Sequence, residues 1–349
     1  MKRRAFLHTS ALAVSSALLG ANAAEAPDQV MTVTGLIPAA DLGRTLVHEH
    51  VAVDFIGAAR TSPDRYDSQL AFDLARPHFE RLQREGVKTL VECTPRFIGR
   101  NPDLLRRLSR ETRLQVLANT GWYAAVNHRF LPPEALTESV DQIADRWKRE
   151  WLDGLDGTGI RPGFLKLGTG NGALPSVDAK LVRAAARVHR FSGLTIAIHT
   201  GDGAAALDEL KLLREEGVRP DALIWVHAQN DPGPIQIEAA RLGAWISLDG
   251  YSLSGPNVLR YPAMIVAHRE AGTLNRVLLS HDDGWAVDGD APSGNKLTLF
   301  GNGNPTPFSS LFSQLIPDLR TRGFTEADLQ QLLVVNPRSA LTLRPRLLS

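Results

Sequence analysis

Cysteine is nearly missing from this chain: Cys93 is the only one in 349 residues. No intrachain disulfide can form and no cysteine-based zinc cluster can assemble, so a metal site would have to use histidine, carboxylates or a less usual ligand. Surplus charge is missing too. With 39 Lys and Arg against 38 Asp and Glu, the formal net charge is +1. That balance gives no electrostatic reason to expect nucleic acid or an anionic membrane as partner. The apolar stretch at 11–19 is broken by Ser15 and Ser16 and is shorter than the roughly 20 residues that a bilayer span needs. No internal repeat or low-complexity segment stands out. What is present has the composition of a soluble globular enzyme, 43% hydrophobic, long enough for one large domain or two ordinary ones.

The first residues read as an address rather than as fold. Lys2, Arg3 and Arg4 precede the 11–19 stretch, and small residues follow at Ala21-Asn22-Ala23 and Ala24-Glu25-Ala26. That order is typical of an export signal over residues 1–26, cleaved after Ala23 or Ala26. Arg3-Arg4-Ala5-Phe6-Leu7 further resembles a bacterial twin-arginine signal, a route that carries folded proteins. The expected location is periplasmic or secreted, with residues 27–349 forming a single domain.

Beyond Pro27, short β-rich runs alternate with longer helical patterns. Strands are expected at 45–55, 87–93, 114–119, 164–167, 194–199, 222–227, 244–249 and 276–281. Helices are expected at 69–85, 104–110, 136–152, 178–190, 203–216, 234–242 and 258–271, with further helical patterns at 307–320 and 326–334. Strands that alternate with helices argue for parallel βαβ units, and eight such units close a (β/α)8 TIM barrel of the α/β class. A doubly wound open sheet is the competing architecture. It would favour a Gly-rich dinucleotide loop after the first strand, and none is there. The nearest candidate, Gly168-Thr169-Gly170-Asn171-Gly172, follows the fourth strand with the wrong spacing and reads as a tight βα loop rather than a phosphate cradle. The Gly-, Asn- and Pro-rich stretch at 288–307 reads as a long loop after the eighth strand.

The polar residues fall where a barrel would gather them. His48 and His50 flank Glu49 on the first strand, so the two imidazoles share a face and Glu49 points away. Lys166 lies in the fourth strand, His199 closes the fifth, His227 closes the sixth, and Asp282 follows the eighth. Catalytic groups of such barrels sit at the strands' C-terminal ends. A lysine buried there needs a partner. Four imidazoles and a carboxylate around one lysine are the makings of a first-row metal site.

These residues also carry a resemblance. Gly43-x-Thr45-Leu46-x-His48-Glu49-His50, Phe164-Leu165-Lys166, His199-Thr200-Gly201, His227, Ser280-His281-Asp282 and Asn336-Pro337 resemble, in order, the motifs of the phosphotriesterase family of the amidohydrolase superfamily. The resemblance spans essentially the whole mature length. It implies two divalent metal ions, usually zinc: His48, His50 and Asp282 would hold the first, His199 and His227 the second. Lys166, carbamylated by carbon dioxide, would bridge them. A metal-bridging hydroxide would attack a phosphoester, carboxylic ester or lactone, with Asp282 relaying the proton. An amidase acting on an N-acyl substrate, or a non-catalytic binding protein on the same barrel, is the alternative. The partner implied is a small-molecule substrate, and a homodimer is compatible with it.

Other residues have weaker assignments. Asp283 is the alternative ligand to Asp282, and His281 should face away from the metals. His78, His189 and His268 lie on helical patterns as packing or surface residues; His128 follows the third strand, within reach of a substrate. Cys93, ending the second strand, reads as core lining. Trp122 and Tyr123 fall where the family places an aromatic wall. Asp231, Tyr251 and Trp285 are further pocket candidates. Arg96 and Arg100 could meet an anionic substrate group, although solvated surface arginines are the plainer reading. Gly250 occupies the position where triesterases of the family carry a histidine and lactonases an arginine, and it supplies neither.

Overall fold

A computed structural model describes residues 28–253, 255–301 and 304–349; the expected export signal at 1–26 lies outside them. An antiparallel hairpin comes first, β1 (Gln29–Thr32) and β2 (Gly35–Pro38). The barrel follows: β3 (Arg44–Glu49), β4 (Val87–Glu92), β5 (Gln115–Leu117), β6 (Asn119–Thr120), β7 (Phe164–Gly168), β8 (Ile196–His199), β9 (Leu223–Val226), β10 (Trp245–Leu248) and β11 (Val277–Leu279). All neighbouring pairs within it are parallel. The expected third strand is interrupted at Ala118, so β5 pairs with β4 and β6 pairs with β7. The circle closes where Asp282 donates its backbone N–H to His48 O at 3.1 Å and His48 donates its own to Ser280 Oγ at 3.0 Å. The chain folds as a single-domain (β/α)8 barrel.

Helices α1 (Ser68–Arg84), α2 (Pro102–Thr112), α3 (Glu134–Thr137), α4 (Val140–Asp153), α5 (Ser176–Ser192), α6 (Gly203–Glu215), α7 (Pro234–Leu242) and α8 (Asn257–Glu270) form the outer ring. Their starts are set by local chemistry. Asp67 caps α1 through Gln69 N, and Asn101 caps α2 through Leu104 N. The single helix expected at 136–152 is two. Ser139 and Gln142 form a reciprocal capping box that starts α4 and leaves α3 as one turn. The two helical patterns near the end are broken by π-turns at Leu311–Leu315 and Gln331–Val335.

Two further departures matter for the site. The first strand ends at Glu49, not at residue 55, and its pairing with β4 shifts register between Leu46 and Glu49. Such a bulge re-aims side chains. Here it lets Val47 pack into the barrel interior while His48, the next residue, also faces the cavity above it. The stretch expected as loop, 288–307, holds the return strand of a second hairpin, β12 (Gly284–Asp288) and β13 (Lys296–Phe300), pairing Trp285 with Leu299 and Val287 with Leu297. Buried Arg65 fixes this hairpin. It forms an ion pair with Asp54 at 2.6 Å and donates to the carbonyls of Gly289 and Ala291. No helix among the described residues is long and apolar enough to cross a membrane.

Candidate metal centre and its cavity

His48 and His50 turn their Nε2 atoms to within 3.3 Å of each other. Asp282 Oδ1 lies 3.0 Å from His50 Nε2 and 3.4 Å from His48 Nε2. The His199 and His227 rings stand 4.5 Å apart, and His227 lies 4.9 Å from His48. Both His227 (φ 62) and Asp282 (φ 59) hold left-handed backbone conformations, which non-glycine residues seldom adopt and which concentrate at functional sites. Each turns the chain sharply at a strand end to aim one side chain inward.

Lys166 is only 2% exposed. Its ammonium donates to Leu167 O at 3.1 Å and lies 5.4 Å from the Tyr123 ring centre, with no carboxylate at ion-pair distance among the described residues. Burial pulls its pKa down. These groups share a cavity of about 100 Å³, whose remaining wall is Val53, Phe55, Cys93, Pro95, Ile98, Tyr123 and Phe300. Gly168 lets Tyr123 lie there, because a Cβ at that position would come within 2.6 Å of the ring.

A layer of buried carboxylates orients the imidazoles. Asp249 accepts from His227 Nδ1 at 2.7 Å and faces His48 Nδ1 at 3.2 Å, and it also accepts from the side chain of Gln229. His50 Nδ1 meets Thr94 Oγ1 at 2.8 Å, and that hydroxyl donates to Glu92 at 2.5 Å. With the Nδ1 atoms so engaged, Nε2 is the free ligating atom. The donor atoms of His48, His50 and Asp282 lie within 4.8 Å of one another, as do those of His48, His227 and Asp249. In the second group Asp249 already holds both rings by Nδ1, so it orients them rather than competing for an ion. His199 belongs to neither group. Glu49 points away from the cavity and accepts from Ser280 Oγ, from His281 N and Nδ1, and from Asp283 N, which fixes the turn that carries Asp282.

The electrostatics follow from burial and pairing. Burial alone would raise Asp282, but the imidazoles of His48, His50 and His227 hold it below the usual carboxylate value. Asp249 is held well below its own by His227 and His48 against the same penalty. Burial pushes His48 down to about 4 and Glu49 up to about 8.

Several predicted residues are placed elsewhere. Of the five pocket candidates only Tyr123 lines the cavity. Trp122 packs edge-on against Trp147 and faces a separate groove of about 700 Å³, together with Arg96. Tyr251 is buried against Tyr261, Trp285 packs on Phe308 and His78, and Asp231 accepts from Gly203 N. Arg100 does not line this cavity and is not a surface residue. It is 4% exposed and bonded to Glu150 and Asp156. His128 is held by Asp178 at 2.6 Å, and His189 and His268 are buried structural donors. Asp283 accepts from Asn304 and Phe308 N, turned from the imidazoles. Two amides of the glycine loop turn to carboxylates, Gly170 N to Asp178 and Gly172 N to Asp202, as in a tight βα loop. Sequence reasoning gave no role to Asp249, Glu92 or Thr94, and it missed Phe55 and Phe300. The Glu92-Cys93-Thr94 run at the end of a strand was the available signal, since Thr94 meets His50 Nδ1 and is itself held by Glu92.

Known proteins share this arrangement of chain. A profile of the Phosphotriesterase family matches residues 28–341. The phosphotriesterase homology protein of Escherichia coli strain K12 is 32% identical over 299 residues, covering 84% of this chain and 96% of its own. An N-acetyltaurine hydrolase of Danio rerio is 27% identical over 363 residues, covering 90% and 98%. A substituted form of a PTE-like lactonase from Deinococcus radiodurans superposes with a TM-score of 0.78 at 30% identity, covering 89% of this chain and 99% of that one. With this fold and these histidine and aspartate groups, the chain belongs to the phosphotriesterase family, within the amidohydrolase superfamily, and is a hydrolase of that family.

Proposed function

We propose that this hydrolase holds two divalent ions, zinc by preference, and cleaves a phosphoester, a carboxylic ester or a lactone. The observation that carries the reading is the convergence of His48, His50, Lys166, His199, His227 and Asp282, from five different strands, on one buried cavity. The donor set fits: imidazole nitrogens and a carboxylate suit zinc. Lys166 fits as well, since a buried ammonium without a carboxylate is costly and a carbamate would make it an anionic bridging ligand. Bound there, the ions would supply an activated water near neutral pH and polarise the P=O or C=O oxygen under attack.

The chain's own residues do the rest. Asp282, ionised at neutral pH, keeps Oδ1 on the two histidines of the first strand and offers Oδ2 to accept a proton. Asp249 and the Thr94–Glu92 pair hold the imidazole rings in one tautomer and one orientation. Phe55, Phe300, Val53 and Ile98 exclude water and seat an apolar acyl or alkoxy group. Gly250 leaves no second relay beside Asp282. A second reading, amide hydrolysis, is favoured by the N-acetyltaurine hydrolase relative. Against it, among the described residues the cavity wall carries no cation other than Lys166 to meet a sulfonate or carboxylate tail. Residues 1–26 would direct export, which the mass of the mature protein from a periplasmic fraction tests.

Metal analysis combined with assays on paraoxon, an N-acyl homoserine lactone, nitrophenyl acetate and an N-acetyl amino acid decides among these readings. Ester or lactone turnover with two ions per chain is expected. Asp282→Asn should lower kcat by about 10²–10⁴ with metal content retained. Preferential turnover of the amide would replace the ester reading, and two ions without any turnover would make the protein a binder.

A further inference from the structure

We propose that segment 124–131, in the loop after β6, is a latched partition between the metal cavity and the neighbouring groove, and that releasing His128 from Asp178 joins the two spaces into one substrate chamber. The inference rests on the metal-hydrolase reading above. The cavity of about 100 Å³ has room for about three waters at roughly 30 Å³ each, too little for two ions and an ester. The groove of about 700 Å³ has the size of an ordinary ligand site, roughly 300–1,000 Å³. One thin wall divides them. Trp122, Arg129 and Leu131 line the groove, whereas Tyr123 lines the cavity, and the Phe130 ring centre lies 5.8 Å from that of Tyr123 and 6.0 Å from that of Phe55. The turn after β4 divides the same way, with Arg96 and Phe97 on the groove side and Pro95 and Ile98 on the cavity side.

The backbone shows which part of this wall moves. Val126 (φ 60), Asn127 (φ 54) and His128 (φ 61) are left-handed in succession, a conformation that non-glycine residues adopt singly and that is worst for a β-branched side chain. Val126 is 56% exposed, so packing does not compensate it. Such a backbone persists only where its surroundings hold it. The hold is His128 Nε2 on Asp178 Oδ1 at 2.6 Å, with the buried Phe130 ring and a bond from Ala58 N to Arg129 O at 3.1 Å behind it. Asp178 is itself fixed, buried on α5. The facing wall is tied more firmly: Val53 N donates to Trp285 O, Val53 O accepts from Val287 N, and Arg65 pairs with Asp54. The strained segment therefore yields first, carrying Phe130 away from Phe55, and its strain favours the open form once the latch lets go.

The test uses the full chain loaded with zinc. His128→Asn keeps a residue type that accepts left-handed backbone but is too short to reach Asp178. Val126→Asn relieves the strain and leaves the latch in place. Hydrogen exchange of a peptide covering 124–131, read by mass spectrometry, should quicken on the order of tenfold in His128→Asn and slow in Val126→Asn, with a peptide covering 284–300 unchanged in both. Removal of ions by phenanthroline, a chelator too large for the closed cavity, should shift in the same two directions. Exchange that shifts the same way in both variants, or that quickens while ion removal stays unchanged, would overturn the partition and leave the hydrolase reading standing. A chain that takes up no zinc would overturn the hydrolase reading, and hydrogen exchange would still decide the latch.

Discussion

At the N-terminal end of the barrel, Leu42, Phe164, Ile224 and Trp245 fill the interior as an apolar plug, backed by Val30 of the first hairpin. At the C-terminal end the same strands present His48, Lys166, His199, His227 and Asp282 to a cavity. The plug has ordinary backbone and buries carbon, at about 1.5–3 kcal/mol for each large side chain. Its one polar atom, Trp245 Nε1, donates to Asp221 O at 3.0 Å. The catalytic end carries what folding disfavours: two left-handed non-glycine residues, a buried ammonium, and buried carboxyls at Glu49, Asp283 and Glu209 pushed up to about 8, about 7 and about 8. One end of each strand stabilises the barrel and the other uses that stability to hold groups in place. The two ends should therefore fail differently under mutation.

The largest difference should appear in the plug. Phe164→Ala removes a fully buried ring two residues before Lys166. It should cost about 3–5 kcal/mol in urea denaturation, while the protein that remains folded keeps its full complement of ions. A cost below about 1 kcal/mol, or loss of ions from folded protein, would dissolve the division between the ends. Asp249→Asn probes the opposite end. Asparagine keeps the shape but cannot accept on both oxygens from two imidazoles. Metal affinity should fall by about 10- to 100-fold with little change in the denaturation midpoint of the metal-free chain. Competition with a chelator reads the first quantity and urea the second. A large drop in metal-free stability with unchanged affinity would make Asp249 a structural residue and blur the contrast.

The same contrast governs what the sequence displays. The strand containing Lys166 reads cleanly because glycines at 163 and 168 bracket an apolar run, and its observed bounds, Phe164–Gly168, differ by one residue. The converging residues are legible because each is tied to its own strand's end, and a parallel barrel brings all such ends together. The cavity wall is not legible. Phe55 stands on a loop and Phe300 ends β13, far apart in sequence, and their rings lie 5.2 Å apart where Arg65 ties its own loop to that hairpin. Arg100 looks like a surface charge until the chain returns some fifty residues later with Glu150 and Asp156. Trp122 and Tyr123 are adjacent, yet only one can face the cavity, and the choice depends on Gly168 from another strand. Periodicity reports which face of an element is buried, not which loop will be lying against it.

Glu209 gives the smallest and most specific test. It lies on α6, outside the cavity, and accepts from Thr169 and Thr200, whose hydroxyls sit in the loops after β7 and β8. Burial raises its pKa from 4.5 to about 8, against the lowering effect of the two threonines. Below pH 4.5 the carboxyl is neutral in both folded and unfolded chains and contributes no pH dependence. Between about 4.5 and about 8 the unfolded chain releases the proton while the folded chain retains it, so stability falls as pH rises through that window. Above it both states are ionised and the loss is complete. Glu209→Gln keeps a neutral, hydrogen-bonding group at every pH. Its melting temperature should match the wild type near pH 4.5 and exceed it by an amount that grows to on the order of a few degrees by pH 8. A difference that stays constant across the window would mean that the carboxyl ionises within the fold without penalty, and the catalytic end would then bear less of the folding cost than its geometry implies.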